Sequence, residues 1–227
     1  MAASDPSGSD PSGSDPSGSA RLHRRFVETA AGLSRPLKEA LDRAGPLGLP
    51  DRSQVTPGYF LSRTVVNQLL SAPAARSIWR RVEDLARETG CEIPALFIRE
   101  RETQVRACGV SAAKFQALLA LAGAEREGGL DAASLKAMDD LARAQHLRAI
   151  RGIGPWSCDM VALFYCRSPD IWPEGDAAVQ RTFKGLIGRR HPARTAARFA
   201  PHRSTLALYM WRLVALERSD LAPPGGA

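Results

Sequence analysis

Two short stretches of this chain hold residue types and spacings that could do chemistry: RGIGPWSCDM, from Arg151 to Met160, and PEGDAAVQR, which contains Asp176. In the first, Gly152 and Gly154 permit positive φ and remove Cβ atoms that would block close approach. Pro155 suits the first turn of a helix. Backbone amides that follow such a turn point outward at a helix N-terminus and form an anion site. A Gly-x-Gly with an acid about 20 residues on also matches a dinucleotide-binding loop. Three features oppose that match. The preceding residues are helical, Ser157 stands where a third glycine belongs, and DIWPEGDAA is no strand. A glycine turn that only joins two helices also stays open, as does a plain helix N-cap for Asp176, ahead of AAVQRTFKGLI.

The elements around these stretches read as helices. No segment alternates cleanly enough for a strand. Ser71 and Pro73 open a helix with Ile78, Trp79, Val82 and Leu85 on one face, and Gly90 closes it. Gly109 ends the next segment, and Ser111 caps AAKFQALLALAGA. Asp131 and Asp139 are further caps. LARAQHLRAI places Leu141, Ala144, Leu147 and Ile150 on one stripe, and Val161, Leu163 and Phe164 follow the elbow. Val179, Phe183, Leu186 and Ile187 mark a helix closed by Gly188, and RSTLALYMWRLVAL is the last. The pattern predicts about nine or ten helices and an all-α fold. A helix, Gly-Ile-Gly and a second helix make a helix–hairpin–helix, here over residues 141–166. Three copies of SDPSG occupy most of residues 4–19, so residues 1–20 are expected to be disordered. Residues 21–221 form the helical domain, and 222–227 a frayed tail.

Composition narrows the partners. The formal net charge is +7; the first twenty residues hold three aspartates and no base, so the remainder carries +10. Such a body suits a polyanion, and a nucleic-acid phosphate is the natural occupant of the elbow. All but four of the 31 bases are arginine, which suits phosphate forks and equally reflects a GC-rich genome. Cys91, Cys108, Cys158 and Cys166 form no CxxC pair and read as small core residues. His23, His146, His191 and His202 show no metal spacing. No apolar run approaches the ~18 residues of a membrane span, and no signal peptide is visible. The expectation is a soluble protein of the cytoplasm and nucleoid, or of the nucleus in a eukaryote.

The string LRAIRGIGPWSCDMVALFYCRSPDIWPEGDAAVQRTF resembles the helix–hairpin–helix DNA glycosylases, and within them the AlkA-type 3-methyladenine DNA glycosylases. FLSRTVVNQLLSAPAARSIWRRV, GVSAAKFQALLALA and PHRSTLALYMWRL resemble further blocks of that family, from Thr56 to Leu216. Too few residues precede Thr56 for the extra N-terminal β-domain of some relatives. The resemblance implies two helical subdomains around a cleft and a monomer acting on double-stranded DNA with a damaged base. It implies excision of alkylated purines such as 3-methyladenine and 7-methylguanine. Other lesions, or a DNA-binding module without catalysis, are the alternatives.

The site follows by the same resemblance. Asp176 is the catalytic carboxylate, with Glu174 a weaker backup and Asp159 structural. Leu69, with Gln68 beside it, is the wedge that fills the gap left by an extruded nucleotide; a core leucine on the stripe with Val65 is the alternative. Trp156, Met160 and Trp211 belong to the base pocket, with Trp172 a weaker candidate; some members carry an aromatic where Met160 stands. The amides of Gly152, Gly154 and Ser157 meet phosphate, helped by Arg151 or Arg181. No cofactor is required, although the backbone carbonyls of Arg148, Ile150 and Ile153 map to a site for Na⁺ or K⁺. Trp156 occupies the position of the attacking lysine of bifunctional members, which implies base removal without strand cleavage.

Overall fold

A computed structural model describes residues 16–220. In chain order the helices are α1 (Pro16–Ala31), α2 (Arg35–Ala44), α3 (Pro57–Asn67), α4 (Ala72–Thr89), α5 (Ile93–Leu96), α6 (Glu102–Ala107) and α7 (Ala112–Arg126). They continue as α8 (Ala132–Ala137), α9 (Asp140–Arg148), α10 (Pro155–Met160), α11 (Ala177–Ile187), α12 (Pro192–Ala196) and α13 (Arg203–Asp220). No strand occurs among the described residues, so the fold is all-α. The helices outnumber the nine or ten expected because α5, α6, α8, α10 and α12 are only four to six residues long.

The chain divides into two compact units. The first combines the N-terminal segment to Asp51 with everything from Pro169 onward, and the second is the continuous stretch Arg52–Ser168. In the continuous unit, Leu61, Val65 and Val66 of α3 pack with Trp79 and Val82 of α4 and Phe115, Leu118 and Leu121 of α7. Tyr59 meets Trp79 edge to face at 5.3 Å, and both donate to Glu83. In the split unit, Phe26 of α1 and Leu37 and Leu41 of α2 share a core with Val179 and Phe183 of α11 and Tyr209 and Met210 of α13.

The capping residues behave as their side-chain chemistry dictates. Ser71, Ser111, Asp131 and Asp139 each accept a backbone N–H in the first turn of α4, α7, α8 and α9. Two expectations fail. Residues 16–20 belong to α1, because the polar Ser-Gly-Ser end of the repeat continues backward from the amphipathic run that anchors this helix on the core at Phe26 and Ala30. Residues 1–15 and 221–227 lie outside the described residues. Leu141 is 70% exposed and leaves the stripe. The inward position of the first turn of α9 goes to Arg143, whose guanidinium donates to Leu135 O, Met138 O, Asp140 and Ser168. Four directed hydrogen bonds satisfy a buried cation that an apolar stripe would not accommodate.

Candidate active site

The elbow joins α9 to α10 through residues 149–154. Ile153 is buried and anchors it, while Arg151 and Gly152 are exposed at its tip. Gly152 has φ +87°, and a Cβ there would lie 2.2 Å from that of Ala117 on α7. Backbone conformation and packing therefore both demand glycine. Gly154 differs. Its backbone is extended at φ −98° and ψ 179°, and a Cβ would meet nothing within 4 Å. The protein itself gives no steric reason for the second glycine, which leaves an open approach to this stretch of backbone from outside. The last carbonyls of α9 are among those a helix leaves without an intrahelical partner. Ile150 O already accepts from Ile153 N at 3.1 Å, with one lone pair to spare.

Two residues assigned to DNA contact have other work here. Ser157 is only 1% exposed, so it is not a surface anion contact. Its hydroxyl accepts from Gln68 Nε2 at 3.0 Å, and the same amide reaches Gly152 O at 3.3 Å. Gln68 thus ties its own turn to the elbow. Trp156 is half-buried and Met160 buried, one turn apart on α10. The helix then widens into a π-turn at Val161–Tyr165. Cys158 between them has its thiol pushed up to about 11 by burial, which makes it inert core.

Leu69 sits in the turn between α3 and α4. Its side chain is fully exposed and its φ is +56°. That conformation costs a non-glycine residue about 1 kcal/mol. The core reading of Leu69 is excluded. The turn is bracketed by Leu70 N donating to Asn67 O and by the Ser71 cap. Lys114, in the first turn of α7, donates from Nζ to Val66 O and to Gln68 O, each at 2.8 Å. Burial lowers its affinity for the proton. Sequence reasoning missed Lys114. The available signal was a lysine three residues past the Ser111 cap, where the helix dipole favours an acid.

In the split unit, Asp176 is the N-cap of α11: Oδ1 accepts from Val179 N at 2.9 Å. Oδ2 accepts from the indole Nε1 of Trp211 on α13 at 3.3 Å. Trp211 is half-buried at the core edge and serves the carboxylate through its N–H. Gln180 fastens the loop by donating to Pro173 O. Trp172 turns into the core and meets Phe183 edge to face at 5.0 Å, which removes it from the pocket candidates. Glu174 is exposed.

The loop before Asp176 is stapled to the start of α13. Arg203 donates to both oxygens of Asp170 at 2.8 and 2.9 Å, and Ser204 accepts from Ile171 N. The guanidinium holds the Asp170 carboxyl below its ordinary value, and the carboxylate raises Arg203 in turn. This pair was also missed, because thirty-three residues separate its members. Arg181 is exposed on α11, in the unit of Asp176, whereas Arg151 belongs to the elbow.

The four histidines are structural. His23 pairs with Tyr209, His146 meets Gly129 O, and His191 caps α12; His202 contributes backbone bonds. The described residues contain no group of three or more His, Cys, Asp or Glu able to hold a metal. Nor do they contain a helix long and apolar enough to cross a membrane.

An all-α chain with a glycine elbow between two helices has the fold seen in helix–hairpin–helix DNA glycosylases. No family model matches the chain. It is 27% identical over 175 residues to DNA-3-methyladenine glycosylase 1 of Schizosaccharomyces pombe, covering 72% of this chain and 75% of that one. The crystal structure of a DNA-3-methyladenine glycosidase from Bacillus halodurans superimposes with a TM-score of 0.67 at 26% identity, over 87% of this chain and 91% of that one. A 3-methyladenine DNA glycosylase of S. pombe in complex with abasic DNA superimposes with a TM-score of 0.71 at 22% identity, over 89% and 100%. These proteins of similar sequence and fold are named for 3-methyladenine.

Proposed function

We propose that this protein is a base-excision-repair glycosylase that binds double-stranded DNA as a monomer, extrudes an alkylated purine and hydrolyses its N-glycosidic bond. The observation that carries this reading is the Asp176 carboxylate, held at the start of α11 by Val179 N and Trp211 Nε1. A purine made cationic by methylation is already a good leaving group. The C1′–N bond breaks with its electron pair going to the base, which leaves neutral. Positive charge grows on the sugar, and the fixed carboxylate stabilises it. Water then adds to C1′ and gives its proton to Asp176 or to solvent. The product is an abasic site.

The elbow takes the DNA phosphate through the amides around Gly152 and Gly154, with Arg151 beside them. A monovalent cation held by the carbonyls of Arg148, Ile150 and Ile153 would add positive charge at that phosphate. Leu69 enters the base stack. Trp156 and Met160 face the extruded base, where an electron-rich ring attracts a cationic purine and a thioether adapts to its outline. In the bifunctional members that the sequence resembles, the attacking lysine stands where this chain has Trp156. All four lysines are engaged elsewhere: Lys38 with Asp42, Lys114 with α3, Lys136 over the Tyr165 ring and Lys184 with Arg190 O. This supports a monofunctional enzyme.

The test is base release from duplex DNA carrying 3-methyladenine and 7-methylguanine, by the intact protein and by D176N, with strand breaks scored before and after alkali. Release by the intact protein alone, with breaks only after alkali, is expected. Breaks before alkali would remove the monofunctional reading. Binding without release would point to another lesion or to a non-catalytic module.

A further inference from the structure

We infer that Lys114 is a positioning residue for catalysis: its ammonium clamps the turn that holds Leu69 outward, and it acts on base excision through that leucine. The inference rests on the glycosylase reading above for the use of the wedge. The clamp itself is geometry.

Lys114 belongs to the first turn of α7, where the dipole opposes a cation. The side chain leaves its own helix and reaches the C-terminal end of α3, where carbonyls lack intrahelical partners and attract positive charge. It takes Val66 O and Gln68 O together, at 2.8 Å each. Gln68 O belongs to the peptide group that ends at the nitrogen of Leu69. Fixing that oxygen fixes the plane from which Leu69 departs at φ +56°.

Nothing in the free protein rewards Leu69 for this arrangement. A leucine in the left-handed region, wholly in water, loses both backbone ease and burial. A turn without anchors would relax and carry the side chain elsewhere. The anchors come from two directions. Lys114 grips the backbone, and the Gln68 amide docks on Ser157 Oγ and Gly152 O. The first sets where Leu69 points, and the second ties its turn to the elbow.

The experiment is single-turnover release of 7-methylguanine from a duplex with one lesion, using saturating protein. It compares intact protein, K114M, K114R, L69A and the double variant L69A/K114M. K114M should slow release about 10-fold, the worth of a charge-assisted hydrogen bond lost from a buried partner. K114R, which keeps the charge and the reach, should recover most of that loss. In the L69A background the same K114M change should have little further effect, because both act through one group. An equal loss in both backgrounds, or no loss in either, overturns the proposal. If K114M does not fold, K114Q keeps one neutral donor and is read in the same cycle. Absence of release by intact protein overturns the glycosylase reading and this inference with it; absence of coupling alone overturns only the inference.

Discussion

The Gly152 elbow and the Asp176 loop each lead into a helix, yet they are held by different forces. At the elbow the constraint is steric: a positive φ, a contact with Ala117 that leaves no room for a Cβ, and Ile153 sunk in the core. At the loop it is polar. Val179 N and Trp211 Nε1 fix the carboxylate, and Arg203 and Ser204 staple the approach to α13. Steric constraints fail abruptly, because overlap energy rises steeply with distance. Hydrogen-bonded constraints fail by increments, one donor at a time. The elbow, proposed to meet phosphate, is therefore the brittle region, and the loop that holds the Asp176 carboxylate is the tunable one.

Four substitutions bear on that contrast. D176N should give the largest effect, a fall in base release of about 10²–10³-fold from loss of the charge facing the developing cation, read by single-turnover kinetics. The glycines come next. G152A should cost about 2–4 kcal/mol in thermal unfolding, because neither the φ nor Ala117 can yield cheaply. G154A should change stability by no more than about 0.5 kcal/mol yet weaken duplex binding in fluorescence anisotropy. If both glycines behave alike, the distinction between an inward and an outward reason for glycine is lost. W211F removes one donor from Asp176 and should slow release about 3- to 10-fold, without the collapse seen in D176N.

The smallest effect concerns acid. Asp170 has a depressed folded-state pKa, so its contribution is present above the unfolded value of about 4 and is lost as pH falls through the folded value. Because the pair is about one-third exposed, this amounts to about 1 kcal/mol after solvent screening. D170N should therefore lower the unfolding temperature near neutral pH and flatten its decline in acid, as followed by circular dichroism.

Much of this was legible in the sequence, for local reasons. Ser71, Ser111, Asp139 and Asp176 were found because a cap speaks to the next three residues. Gly152 was found because few residue types fit such an elbow. What stayed hidden depends on distant pairing. The stripe reading of α9 went to Leu141 because an arginine counts as polar until four acceptors happen to converge on it, as they do on Arg143. The indole of Trp211 and the carboxylate of Asp176 are thirty-five residues apart, and no periodicity links them. Lys114 was visible only as a charge on the wrong end of a helix, and the carbonyls that make sense of it belong to α3. The split of one unit around the other leaves no mark in composition at Asp51 or Pro169.

That split sets an order of assembly during synthesis. Residues 52–168 form one uninterrupted unit, so all the contacts of the elbow and of the Leu69 turn exist once Ser168 has left the ribosome. The helices before Asp51 must wait for α11 and α13, the last parts made, before their shared core can close. Until α13 is made, Asp176 has its local cap contact with Val179 N but not its indole partner. The unit that holds the elbow can thus be complete while the unit that holds Asp176 still lacks its last helix.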